Sequence, residues 1–316
     1  MSVNPMGYSS SIETEQAPQY QWEDNPCPVC ESRECIRLGD RGGQAHKHRK
    51  GVRCTIVQCR VCSHLYPHPM PMTDDPNALY HDVDEYFVNH DPQTKIEKAR
   101  ILLQELERYC NGRGRMLDIG SGRGELLYAA SFLGWDPYGV EASAEFTEFA
   151  KATYGVQVTQ GTLARANYPD ATFDLVTLGA VLEHLYDPKG MLRQIHRILK
   201  PDGVVWIDVP NEASLYNTIG NLYFALQGKD WVSQLSPTFA PYHVQGFTRR
   251  SLLQLLTQTG FSALTLKLYT GRTLLSRKTA KEHFEYWAAS LVNQLARWTR
   301  TGPYMEVVAR AMHAGT

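Results

Sequence analysis

Net charge is nearly absent from this 316-residue chain, in which 32 Lys and Arg stand against 33 Asp and Glu. Such a balance gives no global pull toward nucleic acid or an anionic membrane surface. No apolar run reaches membrane-spanning length, and the polar start MSVNPMGYSSSIETEQ lacks the apolar core of a secretory signal. A cytoplasmic protein without a membrane partner is therefore expected. No internal repeat is found. Cysteine is scarce outside one stretch: six of the seven lie between Cys27 and Cys62, and only Cys110 falls elsewhere. The remainder is ordinary, at 43% hydrophobic and 21% charged, enough for one large domain and a small one. Residues 1 to 24, rich in Ser, Gln and Glu without apolar periodicity, read as a disordered tail.

A more local absence is the most telling. In Met116-Leu117-Asp118-Ile119-Gly120-Ser121-Gly122-Arg123-Gly124-Glu125 an apolar strand ends in an acid, and three glycines at alternate positions open into a helix. A chain turning sharply from strand to helix needs positive-φ positions and no Cβ against a ligand. The following helix offers free N–H groups to a carboxylate or phosphate. A dinucleotide loop reads G-x-G-x-x-G. Here the third glycine of that pattern is missing, and Glu125 takes its place. The departure points away from NAD and toward S-adenosylmethionine.

From about residue 114 to 260 the chain resembles the class I S-adenosylmethionine-dependent methyltransferases. The resemblance rests on LDIGSGRG, YGVEAS, FDLVTLGAVLEHLYDP, ILKPDGVVWIDVPN and HVQGFTRRSLLQLLTQTGF, in that order. It implies a Rossmann-like α/β fold, mostly parallel with an antiparallel last strand. It also implies that Asp118, Gly120, Ser121, Gly122 and Gly124 border the methionine part of the cofactor. Glu141, with Ala142 beside it, would take the ribose hydroxyls. Thr162 and Leu163 would flank the adenine, Gly179 and Ala180 would lie beneath the sulfonium, and Tyr86 would cover the cofactor. For Tyr86, packing between the small domain and the core is an equal reading.

The cysteines form two matched pairs, Cys27-Pro-Val-Cys30 and Cys59-Arg-Val-Cys62. A C-x₂-C knuckle sets two thiolates on one side of a metal, and two knuckles complete a Zn²⁺ tetrahedron with bonds near ~2.3 Å. Four thiolates leave no open position, so the zinc is expected to be structural, holding residues 25 to 70 as a zinc-ribbon-like domain. Cys35 and Cys54 are spare, either small packing residues or substitute ligands. The segment IVQCRVCSHLYPHPMP resembles the ribbon preceding the methyltransferase domain in bacterial enzymes acting on sugars and secondary metabolites. The sugar-modifying members carry a further C-terminal domain, for which this chain is too short.

After a linking segment (71 to 110) with an amphipathic helix from Lys95 to Tyr109, a methyltransferase domain is expected over 111 to 316. Its strands are RMLDI, PYGVE, VQVTQ, FDLVTLG and GVVWIDV, then SALTLKLYT and PYMEVVARA with a helix from 281 to 300 between them. A helix with Met191, Leu192, Ile195, Ile198 and Leu199 on one face is expected to run to Pro201-Asp202-Gly203. Thr248 is expected to cap RRSLLQLLTQT. The insertion from 212 to 245 is long and aromatic and reads as a lid or substrate wall, with Trp231 and Tyr242 as acceptor contacts; a helical elaboration filling a core is the plainer alternative.

Two histidines fall near the carboxyl ends of the strands, where open α/β sheets bind ligands. His184 follows the fourth strand and His243 closes the insertion. Each is either a base for a protonated acceptor or a structural residue. The expected activity is methyl transfer to a small-molecule acceptor in secondary-metabolite or glycan biosynthesis. An RNA methyltransferase is one alternative, because Arg41, Lys47, Arg49, Lys50 and Arg53 form a basic loop between the knuckles. No N-P-P-Y-like tetrapeptide follows the fourth strand, where Gly179-Ala180-Val181-Leu182 stands. A cofactor-binding module without catalysis is the other alternative.

Overall fold

A computed structural model of the chain describes residues 20–73, 91–271 and 280–312. The larger part is a seven-stranded sheet. In chain order its strands are β6 (Arg115–Ile119), β7 (Asp136–Glu141), β8 (Gln157–Gln160), β9 (Phe173–Gly179), β10 (Leu199–Pro210), β11 (Phe261–Tyr269) and β12 (Tyr304–Ala311). In space they run β11-β12-β10-β9-β6-β7-β8. Pairings among β6 to β10 are parallel, whereas β12 is antiparallel to both β10 and β11. Helices cover both faces, so β6 and β9 read as near-continuous apolar runs, and Met116, Leu117, Leu175, Val176 and Leu178 are fully buried.

The helices are α1 (Pro92–Leu106), α2 (Glu125–Leu133), α3 (Ala144–Tyr154), α4 (Leu163–Ala166), α5 (Pro188–Ile198), α6 (Leu215–Leu226), α7 (Arg249–Gln258) and α8 (Ala280–Thr299). Their starts follow local chemistry. The side chains of Asp91, Ser143, Thr162, Asp187, Ser214 and Thr248 each accept from a first-turn N–H. Thr248 and Ser251 form a reciprocal box. One boundary differs from expectation. α5 ends at Ile198, and Leu199 already pairs with Phe173 of β9, so Lys200 to Gly203 belong to an irregular start of β10. Tertiary pairing overrides the helical period there.

The ribbon consists of β2 (Cys35–Arg41), β3 (Cys54–Cys59) and β4 (Leu65–Pro67) in one antiparallel sheet, while β1 (Tyr20–Glu23) pairs with β5 (Met70–Thr73). It does not stand apart from the insertion. Asp40 N–H donates to the Asp230 carbonyl at 2.9 Å and Val232 N–H returns a bond to Asp40 at 3.1 Å. Leu65 and Gly246 exchange backbone bonds of 2.9 and 2.7 Å. Beneath this seam Cys54, Ile56, Leu65, Val232 and Leu235 share one small core.

Candidate active site

The glycine loop turns between β6 and α2. Gly120, Gly122 and Gly124 have φ of 70°, 53° and 87°, the left-handed region that disfavours side chains. They serve different ends. A Cβ on Gly120 would meet Val181 Cγ2 at 2.6 Å, and one on Gly124 would meet Ala150 Cβ at 2.9 Å, so both allow close packing. A Cβ on Gly122 would project into open space over a cleft of about 540 Å³, within the usual range of ligand sites. Glu141, at the end of β7, reaches across: its two carboxylate oxygens accept from Gly122 N–H and Ser143 N–H, each at 2.8 Å. Ser121 is buried at the cleft wall, and its hydroxyl has no partner among the described residues. An orphaned hydroxyl, a carboxylate across the loop and an open glycine edge fit a ribose-bearing, amino-acid-bearing cofactor.

Gly179, Ala180, Val181, His184 and Leu185 floor the same cleft. His184 ends a short 3-10 turn, Leu182–His184, and its ring stands 4.8 Å from that of His243, at 72°. Burial pushes His184 down to about 4 and His243 to about 3, so both imidazoles are neutral near neutral pH. Glu183, which precedes His184 in sequence and lies close to both rings, is buried, and its carboxyl is pushed up to about 8 by desolvation. Its backbone carbonyl accepts from Val244 and Gln245 N–H at 3.0 and 2.9 Å, which ties the segment bearing His243 to this turn.

His243 and Pro241 also line a second cleft of about 330 Å³. Its other walls come from distant parts of the chain: Arg41 from the ribbon, Glu212, Tyr216 and Asn217 from the start of the insertion, Ser233, Ser236 and Phe239 from its end, and Tyr304 from β12. Arg41 Nε donates to the Leu235 carbonyl at 3.0 Å, and its guanidinium lies 5.2 Å from the centre of the Phe239 ring. It has no ion-pair partner among the described residues. Glu212, buried, accepts from Asn217 Nδ2 at 2.8 Å, and desolvation pushes it up to about 7.

The two cysteine knuckles repeat one local geometry. Cys27 O accepts from Glu31 N–H, and Cys59 O from Ser63 N–H, both at 2.9 Å; Glu31 and Ser63 turn left-handed with φ of 62° and 63°. The four sulfurs lie within 4.8 Å of one another, with Cys27–Cys62 at 3.5 Å and Cys30–Cys59 at 3.4 Å. Those separations are far beyond a disulfide. They approach the ~3.8 Å edge of a tetrahedron built on ~2.3 Å metal–sulfur bonds. Cys54 lies instead in the small core under the seam.

Several expected contacts stand elsewhere. Asp118 lies beneath the loop, buried, accepting from Thr177 Oγ1 at 2.7 Å, and burial pushes its carboxyl up to about 7. Thr162 caps α4 and Leu163 is buried, so neither lines the cleft, whereas Ala142 does. Trp231 sits at the ribbon seam, bridged to Asp40 and under the Lys229 ammonium at 4.4 Å, outside both clefts. Tyr242 turns left-handed with φ 60° between the two cleft residues Pro241 and His243 and lines neither cleft itself. Tyr86 lies outside the described residues. Sequence reasoning missed Lys95, Arg123 and Phe146 on the first cleft, and Arg41 and Glu212 on the second. Arg123 sits inside the glycine motif and was within reach; Glu212 carried no signal.

Residues 90–266 match the family model for a methyltransferase domain. An uncharacterized methyltransferase, YcgJ, of Bacillus subtilis is 34% identical over 100 residues, covering 30% of this chain and 40% of that protein. A ubiquinone biosynthesis O-methyltransferase of Paraburkholderia phymatum is 26% identical over 189 residues, covering 55% of this chain and 75% of its relative. Among solved structures, a chain from the complex between the Haloferax volcanii Trm112 methyltransferase activator and the putative methyltransferase has a TM-score of 0.51 at 17% identity. It covers 77% of this chain and all of that one. This last likeness concerns the fold. With a family model spanning more than half of the chain, laid over a glycine loop and a ribose-ready carboxylate, the chain belongs to the class I S-adenosylmethionine-dependent methyltransferases.

Proposed function

We propose that the chain transfers a methyl group from S-adenosylmethionine to a small-molecule acceptor held in the second cleft, in the biosynthesis of a secondary metabolite or glycan. One observation carries the reading: two clefts of different character meet at His243 and Pro241. The larger offers the glycine loop and Glu141, the smaller a ring of polar and aromatic side chains. Cofactor and acceptor thus approach from opposite sides. The Paraburkholderia relative, named as an O-methyltransferase of ubiquinone biosynthesis, agrees with a small acceptor bearing oxygen.

The chemistry asks little of the protein beyond alignment and exclusion of water. The acceptor's lone pair attacks the sulfonium methyl in line, the C–S bond breaks, and S-adenosylhomocysteine leaves. His184 and His243, being neutral, accept hydrogen bonds from an acceptor hydroxyl and orient its lone pair. In this reading Zn²⁺ bound to Cys27, Cys30, Cys59 and Cys62 holds the ribbon, and the ribbon in turn holds Arg41 in the acceptor wall. A nucleic-acid acceptor fits less well. Of the five basic loop residues, Arg41 lines the cleft and Arg53, though exposed, has its charge paired with Asp40.

The test is release of S-adenosylhomocysteine with a panel of hydroxylated small molecules. His243→Ala is expected to lower turnover about 10²-fold while cofactor affinity holds. Tight cofactor binding without turnover on any acceptor would favour the non-catalytic alternative, and equal turnover in the variant would remove His243 from the chemistry.

A further inference from the structure

Among the buried acids of the described residues, Glu183 differs in that both its carboxyl oxygens lack a hydrogen-bond partner, where Glu125 lacks one at Oε1 alone. Asp40 accepts from Arg53 and Thr55, Asp118 from Thr177, Glu141 from two backbone amides and Glu212 from Asn217. Glu183 is 1% exposed, yet neither carboxylate oxygen has a hydrogen-bond partner among the described residues. A buried carboxylate without a donor is costly and calls for a missing partner. What faces it is a pair of imidazoles. His243 Nε2 lies 3.9 Å from Glu183 Oε1, and Glu183, His184 and His243 each offer one ligand atom within 4.8 Å of the others. Each neutral imidazole offers one lone-pair nitrogen, so with the Glu183 carboxyl the cluster presents three ligand atoms within reach of a single cation.

We propose that Glu183, His184 and His243 bind a divalent metal ion where the two clefts meet. Two imidazole nitrogens and one carboxylate oxygen form the donor set of sites that keep open positions for substrate, and they suit Zn²⁺, Mn²⁺ or Fe²⁺. The arrangement is held from behind. The carbonyl region of Ala180, Pro241 and Tyr242 hydrogen-bonds the His184 ring, a common support for a ligating imidazole. The amides of Val244 and Gln245 fix His243 against the Glu183 turn. Because His243 lines both clefts, an open position on the ion faces the acceptor's side, where it would bind an acceptor oxygen and ease its ionisation. That consequence rests on the methyl-transfer reading above; binding of the ion does not.

The experiment uses the full chain with its ribbon metal in place and Mn²⁺ alone as probe, because four thiolates disfavour Mn²⁺. Free Mn²⁺ is followed by electron paramagnetic resonance, and S-adenosylhomocysteine affinity is measured separately by calorimetry. The expected result is one saturable site per chain, weakened at least about tenfold in Glu183→Gln and in His243→Gln. Circular dichroism would confirm that each variant is folded, and the isosteric Gln at 183 leaves the packing intact. Bound Mn²⁺ is also expected to broaden the proton resonances beside the sulfur of bound S-adenosylhomocysteine. Absence of saturable binding, retention of it in both folded variants, or binding without broadening would overturn the site. Mn²⁺ binding with no S-adenosylhomocysteine binding would spare the metal site and sink the methyltransferase reading. The reverse result would do the opposite.

Discussion

The two clefts are built on opposite principles. The cofactor side is local: Gly120 to Glu125, Glu141 and Ala142, and Gly179 to Leu185 sit at the ends of adjacent parallel strands, and backbone geometry does most of the shaping. The second cleft, proposed above for the acceptor, is assembled from Arg41, Glu212, Ser233, His243 and Tyr304, drawn from the ribbon, the insertion and the last strand. A site made by strand ends belongs to the fold and tolerates change elsewhere. A site made by distant side chains depends on every seam that brings them together, and it is where acceptor choice can vary while the sheet stays fixed.

The strongest way to separate the two is to remove the ribbon's clamp. Cys27→Ser is expected to unfold the ribbon and abolish turnover, while S-adenosylhomocysteine binding survives; loss of both together would show that the halves are not independent. Metal analysis of the parent should return one zinc bound through the four thiolates. Next, Glu141→Ala removes the carboxylate facing the ribose position. Calorimetry should show cofactor binding weaker by about 1.5–3 kcal/mol for each charge-assisted bond lost, with turnover at saturating cofactor changed far less.

A third test probes the buried acid under the loop. Asp118 has its carboxyl raised from an ordinary 3.8 to about 7 by burial. The folded state therefore holds the proton more tightly than the unfolded one. The stability this group allows is full below pH 4 and is lost as pH rises toward 7. Asp118→Asn should escape that loss, so its urea-unfolding stability relative to the parent should improve by about 1–3 kcal/mol between pH 5 and pH 8. A parallel pair of curves would contradict it. The smallest effect is expected at the ribbon's own contribution to the acceptor wall. Arg41→Gln should raise the acceptor's KM about tenfold, the scale of one charged hydrogen bond, and leave cofactor affinity alone.

The same contrast explains what could be read in advance. The glycine loop, the succession of strands along the chain, the Thr248 cap and the paired knuckles are encoded by residues close together, where spacing alone carries the constraint. The expected helix overruns the end of α5 at Ile198 because Leu199 continues its apolar period, while pairing with Phe173 decides its fate. Trp231 was assigned to the acceptor for its aromaticity and position, but its backbone bridge to Asp40 draws it to the ribbon seam. Arg41 was noticed only as part of a basic run. Nothing within the sequence near it records that Leu235 and Phe239 receive it, because that contact forms only when the ribbon docks on the insertion.

That docking also imposes an order on synthesis. Cys54, Ile56 and Leu65 emerge early, but Val232 and Leu235, which complete their small core, come much later in the chain. At about 5–20 residues per second the interval from Leu65 to Val232 lasts roughly ten to thirty seconds. For that time a folded ribbon would show the ribosome's surroundings a bare apolar edge and the open outer side of β2, where Asp40 later meets Asp230 and Val232. The nascent chain is then most exposed to aggregation, and a chaperone that shields the ribbon until the insertion arrives would raise the yield of complete enzyme more than one acting on the sheet.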